Sequence, residues 1–114
     1  MRICNLKDPI YDFKLNLVCQ CTYEEFRQFV LERDSYECGQ YRDNTIGMYV
    51  PIEQKNVYYL FIPDAKNVPV IAHETLHLVL DILNSKGLEL NKGSEEAYTY
   101  SFEFWIRLIL SKLN

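Results

Sequence analysis

Several things are scarce in this chain, and each scarcity removes a class of function. No apolar run approaches the roughly 18 residues of a membrane span, and Met1 to Phe13 has no continuous apolar core of signal-peptide length. A cytosolic protein that does not enter a membrane is therefore expected. Positive charge is not in excess: 12 Lys and Arg against 16 Asp and Glu leave a net charge of -4. That balance speaks against a broad phosphate-binding surface, and so against nucleic acid as a partner, while leaving room for a local patch. The four cysteines, Cys4, Cys19, Cys21 and Cys38, match no zinc-ribbon spacing. Strand alternation would point Cys19 and Cys21 to one face, and reduced, mostly buried thiols are expected. No repeat, low-complexity tract or Ser/Gly-rich linker occurs, so residues 1–114 read as one α+β domain. A chain of this length can bury roughly two-thirds of its unfolded surface and needs no disulfide scaffold.

What is present divides into recognisable elements. Residues 13–21 begin with an apolar/polar alternation that predicts a half-buried strand, and Met1 to Leu6 reads as another. Thr22-Tyr23-Glu24-Glu25 has the capping-box pattern, which predicts a helix over 22–34 with Phe26, Phe29 and Val30 on one face. Residues 35–44, with Gly39 and Arg42-Asp43-Asn44, read as a loop. Thr45 to Val50 and Val57 to Ile62 are rich in β-branched and aromatic residues and predict an antiparallel hairpin, with Pro51 and Pro63 at the strand ends. Asn67 as cap, Pro69 in the first turn and Gly87 as stop predict a helix over 68–86. Ser94 is placed to cap a last helix that is apolar on most of its circumference.

The chemistry concentrates in His73-Glu74-Thr75-Leu76-His77. Residues four apart on a helix share a face one turn apart, so both imidazoles can hold one metal ion. Glu74 lies beside them, where a general base acting on a water activated by the ion would sit. The chain has only two histidines, and chance placement would produce this pattern in roughly 0.2% of shuffles. His73, Glu74, His77, Asp81, Asn84 and Ser85 form one polar stripe on an otherwise apolar helix. An ordinary solvated face is the plain alternative, but such faces are usually built from Lys, Glu and Gln.

A catalytic zinc takes three protein ligands and leaves one position open. With no third histidine, the remaining ligand must be a carboxylate, and Asp81, Glu95 and Glu96 are the candidates. Asp81 is turned away from His73 on the same helix and suits an outer-shell role that orients a histidine. Glu95 and Glu96 open the last helix. Helical phase groups Glu96 with Thr99, Glu103 and Arg107 on a polar stripe, and Glu95 with Tyr98, Phe102 and Ile106.

Over residues 57–107 the sequence resembles the gluzincin metallopeptidases, the thermolysin-like branch of the zincins. Their pattern is His-Glu-x-x-His followed by a ligand Glu on a separate helix. In that group a small residue commonly follows the ligand Glu by three positions. Thr99 stands there for Glu96, and Tyr98 for Glu95. Asn91 to Tyr100 also looks like small metallopeptidases of phages and bacteria, and Asp81 occupies a place where thermolysin-like proteins often have an Asp.

The resemblance implies a minimal zincin-like domain in which a small antiparallel sheet packs on the metal helix and the C-terminal helix supplies the third ligand. It implies Zn2+ held by His73, His77 and Glu96, with Glu74 catalytic, in a hydrolase that cleaves a peptide or protein substrate. A chain this short lacks the second domain that walls the cleft in larger members, so a peptide would be gripped by a sheet edge, for which Val57 to Ile62 is the expected strand. Tyr49, Tyr58, Tyr59, Tyr98 and Tyr100 are the candidates for stabilising an oxyanion, and packing is the other role open to them. The alternative function is a non-catalytic zinc-containing regulatory or interaction protein, which would not need Glu74.

Overall fold

A computed structural model describes residues 1–39 and 45–114, so the expected Arg42-Asp43-Asn44 loop cluster lies outside the described residues. The elements are β1 (Arg2–Lys7), β2 (Lys14–Cys19), α1 (Tyr23–Asp34), β3 (Met48–Ile52), β4 (Val57–Ile62), α2 (Val68–Ser85) and α3 (Glu95–Leu113), with one 3-10 turn at Glu53–Lys55. The strands form one sheet in the order β1-β2-β4-β3. β1 and β3 are the edges.

The sheet is mixed, not antiparallel throughout as expected: β2 runs parallel to β4, with Leu15 opposite Tyr58 and Leu17 opposite Leu60. Parallel neighbours need a long crossover, and the segment containing α1 supplies it. The hairpin of β3 and β4 forms as expected, with Tyr49 opposite Leu60. β4, however, is interior, and Tyr58 to Ile62 are all buried. Its run Val-Tyr-Tyr-Leu-Phe-Ile is apolar on both faces, as a strand covered on both sides requires. The expected exposed edge is thus β3, not β4. Pro51 lies inside β3 opposite Tyr58. An edge strand tolerates it because the missing N–H faces away from the sheet.

Alternation along the strands builds two cores. Leu15, Leu17, Leu60 and Ile62 pack with Ile71, Leu78 and Ile82 of α2 and with Trp105 and Ile109 of α3. Val18, Tyr59 and Phe61 face the other way, onto Tyr23, Phe26 and Val30 of α1. Phe26 stacks on Phe61 with ring centroids 4.8 Å apart. The fold is therefore α1, sheet, then α2 with α3. Cys19 belongs to the first core and Cys21 packs against the second, so the two thiols do not share a face. β2 ends at Cys19, and Gln20 has φ 57°, which turns the chain and breaks the alternation. All four cysteines are free thiols.

Local chemistry fixes the element ends. The Thr22 hydroxyl accepts from the Glu25 amide while the Glu25 carboxylate accepts from the Thr22 amide, completing the capping box. Ser35, with φ 53°, ends α1 by donating its N–H to the Leu31 carbonyl. Asn67 caps α2 by accepting from the Val70 amide at 3.3 Å. Ser94 makes no such cap; its hydroxyl turns back to the Glu89 carbonyl instead. Asp8 is buried and accepts from the amides of Ile10 and Tyr11 and from the Trp105 indole at 2.9 Å. It ties the β1–β2 connection to α3. No helix among the described residues is long and apolar enough to cross a membrane.

Candidate metal centre

α2 packs Ile71, Thr75, Leu78, Val79, Ile82 and Leu83 inward. That choice of buried face leaves His73 and His77 on the outer side, one turn apart. Their Nε2 atoms are 3.2 Å from each other, with the rings edge to face at 74°. Two imidazoles on one tetrahedral zinc, each about 2.0–2.1 Å from the ion, have nitrogens about 3.3 Å apart. The pair therefore has the bite such an ion needs.

Glu74 is held differently from its neighbours. Its side chain is 12% exposed, against 67% for His73, and its Oε1 is 3.9 Å from His73 Nε2. Ile46 and Gly47, on the approach to β3, stand beside it. A Cβ on Gly47 would stand 2.6 Å from Val70 Cγ1 and 3.2 Å from Glu74 Cγ. Any larger residue would force the Val70 side chain to move. Ile46, Pro69, Val70, His73 and Glu74 together line a hollow of about 280 Å³. On the other side of His73 an apolar groove of about 530 Å³ runs between α2 and α3, walled by Leu76, Leu80, Leu90 and Phe102. His73 is common to both hollows.

The two candidate glutamates are placed differently. Both are exposed in the first turn of α3, where a carboxylate is favoured by the helix dipole whatever else it does. Glu95 lines the groove with His73, Tyr98 and Thr99; Glu96 is not part of that lining. Among the described residues no group of three or more His, Cys, Asp and Glu side chains converges closely enough to hold a metal ion. By donor type, two imidazoles at ligand spacing and an exposed carboxylate, Glu95, lining the same groove as His73 are groups that zinc accepts.

Asp81 has a partner on the edge strand. Its Oδ2 accepts the Tyr49 hydroxyl at 2.7 Å, and among the described residues no hydrogen bond joins it to either histidine. Burial, and then the Asp81 carboxylate, push the Tyr49 phenol far above its ordinary range, so it stays a proton donor. The other tyrosines have structural positions. Tyr58 stacks on Phe13, the Tyr59 hydroxyl donates to Asp34, and the Tyr98 hydroxyl donates to the Leu88 carbonyl. Tyr100 is exposed beside Phe104 and Ile10, in a different hollow.

Ile46 and Gly47 escaped the sequence reading. Their only local signal is a glycine just before a β-rich run, and their contact with Glu74 spans more than twenty residues of chain. No family model, curated protein or solved structure matches this chain.

Proposed function

We propose that the protein is a zinc-dependent peptidase, in which His73, His77 and a carboxylate from the first turn of α3 hold the ion and Glu74 is the general base. The observation that carries this reading is the 3.2 Å separation of the two Nε2 atoms, with Glu74 restrained beside them. A bound zinc ion would supply Lewis acidity, acidifying a water and polarising the scissile carbonyl. Glu74 accepts the proton of the attacking water on its carboxylate and returns it to the departing amine. Ile46 and Gly47 keep that carboxylate from swinging into solvent. The substrate lies extended along the free edge of β3, the strand that Gly47, packed beside Glu74, leads into. Glu95 is the carboxylate that shares a groove with His73, and Glu96 is the one the gluzincin resemblance implies.

Metal content per chain tests the site, measured on protein purified without added metal or a histidine tag. The parent should hold one zinc, His77→Ala none, and only one of Glu95→Gln and Glu96→Gln should lose it. Glu74→Gln should keep both zinc and fold yet cleave no member of a peptide library that the parent cleaves. Retained cleavage in that variant removes Glu74 from the mechanism, and a parent that takes up no offered zinc ends the peptidase reading.

A further inference from the structure

A second hollow, of about 460 Å³, lies on the α1 side of the sheet, where α1 leaves β1 and the start of β2 uncovered. Strand alternation puts Lys7, Lys14, Asn5 and Asn16 on this face, because Leu6, Leu15 and Leu17 point into the core beneath α2 and α3. Arg33, near the end of α1, and Asn56, just before β4, complete the wall.

Its charge pattern needs an explanation. Lys7 and Lys14 are directly opposite each other in the β1–β2 ladder. Such partners have Cβ atoms about 4.5–5.5 Å apart, and like charges placed so are destabilising. The chain has more acids than bases and uses them elsewhere: Arg27 pairs with Glu24 and Glu37, and Arg107 with Glu103. Among the described residues, none of Lys7, Lys14 and Arg33 is in an ion pair. The one carboxylate in the hollow, Asp34, accepts the Tyr59 hydroxyl. Three cations outside any ion pair among the described residues, Arg33 also lying over the Phe29 ring at 5.6 Å, therefore line one concavity of a net acidic protein, against a single carboxylate and with three side-chain amides around them.

We propose that this hollow binds the phosphate ester of a small polyhydroxylated molecule. Lys7, Lys14 and Arg33 take the phosphate through charge-assisted hydrogen bonds. The Asn5 and Asn56 amides, the Oδ1 of Asn16, whose Nδ2 donates to the Tyr58 carbonyl at 3.2 Å, and the Asp34 carboxylate receive the hydroxyls. The volume is that of a small-molecule site. A long polyanion would meet the protein's net negative charge beyond the hollow. The site is on the opposite face of the sheet from His73 and does not depend on the peptidase reading.

Calorimetric titration and melting curves at fixed ionic strength test this with ribose 5-phosphate, inorganic phosphate, neutral ribose and a single-stranded oligonucleotide. Ribose 5-phosphate should bind saturably and raise the melting temperature, inorganic phosphate should compete with it more weakly, and ribose should do neither. Lys14→Gln and Lys7→Gln should each weaken binding by roughly tenfold or more. Both should melt no lower than the parent, because each relieves the facing-lysine repulsion. Lys112→Gln, at the far end of α3, should bind as the parent does. Three results would each overturn the proposal: no saturable binding of ribose 5-phosphate, binding that the Lys7 and Lys14 variants leave unchanged, or tighter binding of the oligonucleotide.

Discussion

Tyr49→Phe removes one hydroxyl and keeps the ring, so its effect isolates the bond that joins the edge strand to α2. That hydroxyl donates to Asp81 Oδ2 at 2.7 Å, and both residues are half-buried. A hydrogen bond to a charged group contributes about 1.5–3 kcal/mol. Water can reach the orphaned carboxylate in part, so the lower end, about 1.5 kcal/mol, is expected. Chemical denaturation of the parent, Tyr49→Phe, Asp81→Ala and the double variant should give a coupling near 1 kcal/mol, well outside the roughly 0.3–0.5 kcal/mol expected of independent sites. The same hydroxyl has an alkaline signature. Its folded pKa is raised, chiefly by burial and then by Asp81. Above about pH 10 the unfolded phenol loses its proton while the folded one keeps it, so stability is intact below that pH and falls as pH rises. The decline from this residue approaches 1.4 kcal/mol per pH unit, and Tyr49→Phe should remove it. Additive single and double variants would refute a bond between β3 and α2, and an unchanged alkaline decline would refute the burial of the phenol.

Two further substitutions probe the packing around the site. Gly47→Ala sets a methyl group 2.6 Å from the stiff Val70 side chain and 3.2 Å from Glu74 Cγ. Thermal unfolding should show a loss of about 1–3 kcal/mol, with amide shifts concentrated on residues 45–50 and 70–74; a silent spectrum would separate this segment from α2. Ser101, buried in α3, has an Oγ with no hydrogen-bond partner among the described residues. Ser101→Ala should stabilise the protein by about 0.5–1 kcal/mol in denaturant titrations, through helix propensity and the loss of an unsatisfied hydroxyl, and a destabilised variant would show that the hydroxyl is engaged.

Much of the fold could be read locally because its boundaries are local chemistry. The Thr22 and Glu25 capping box, the Asn67 cap and the stop at Gly87 each depend on a few neighbouring residues, and the helices run where those residues place them. Sheet order was not legible in the same way. Val57 to Ile62 is apolar on both faces, the mark of an interior strand, yet a neighbouring run of similar composition made an antiparallel hairpin the simplest partner. The parallel pairing with β2 rests on contacts more than forty residues apart. Ser94 shows a signal outbid by its surroundings, since a preceding loop offers its hydroxyl the Glu89 carbonyl. At the candidate site, the spacing of His73 and His77 was fully legible because one helix carries both. The choice between Glu95 and Glu96 depends on how α3 is rotated against α2, which no local pattern encodes.

The parallel joint at the centre of the sheet also has a consequence for how the chain reaches this structure. β1 with β2, β3 with β4, and α1 each form from residues close in sequence, so their closure entropy is small. Joining β2 to β4 closes a loop of more than forty residues, a larger entropy cost than any of the local pairings carries. That step should limit the folding rate. α2 docks on the β3–β4 hairpin and on α3, contacts closer in sequence than the β2–β4 joint, so Glu74 can meet Gly47 before that joint closes. Refolding should therefore show helical signal early and burial of the Tyr59 and Phe61 rings between α1 and the sheet late.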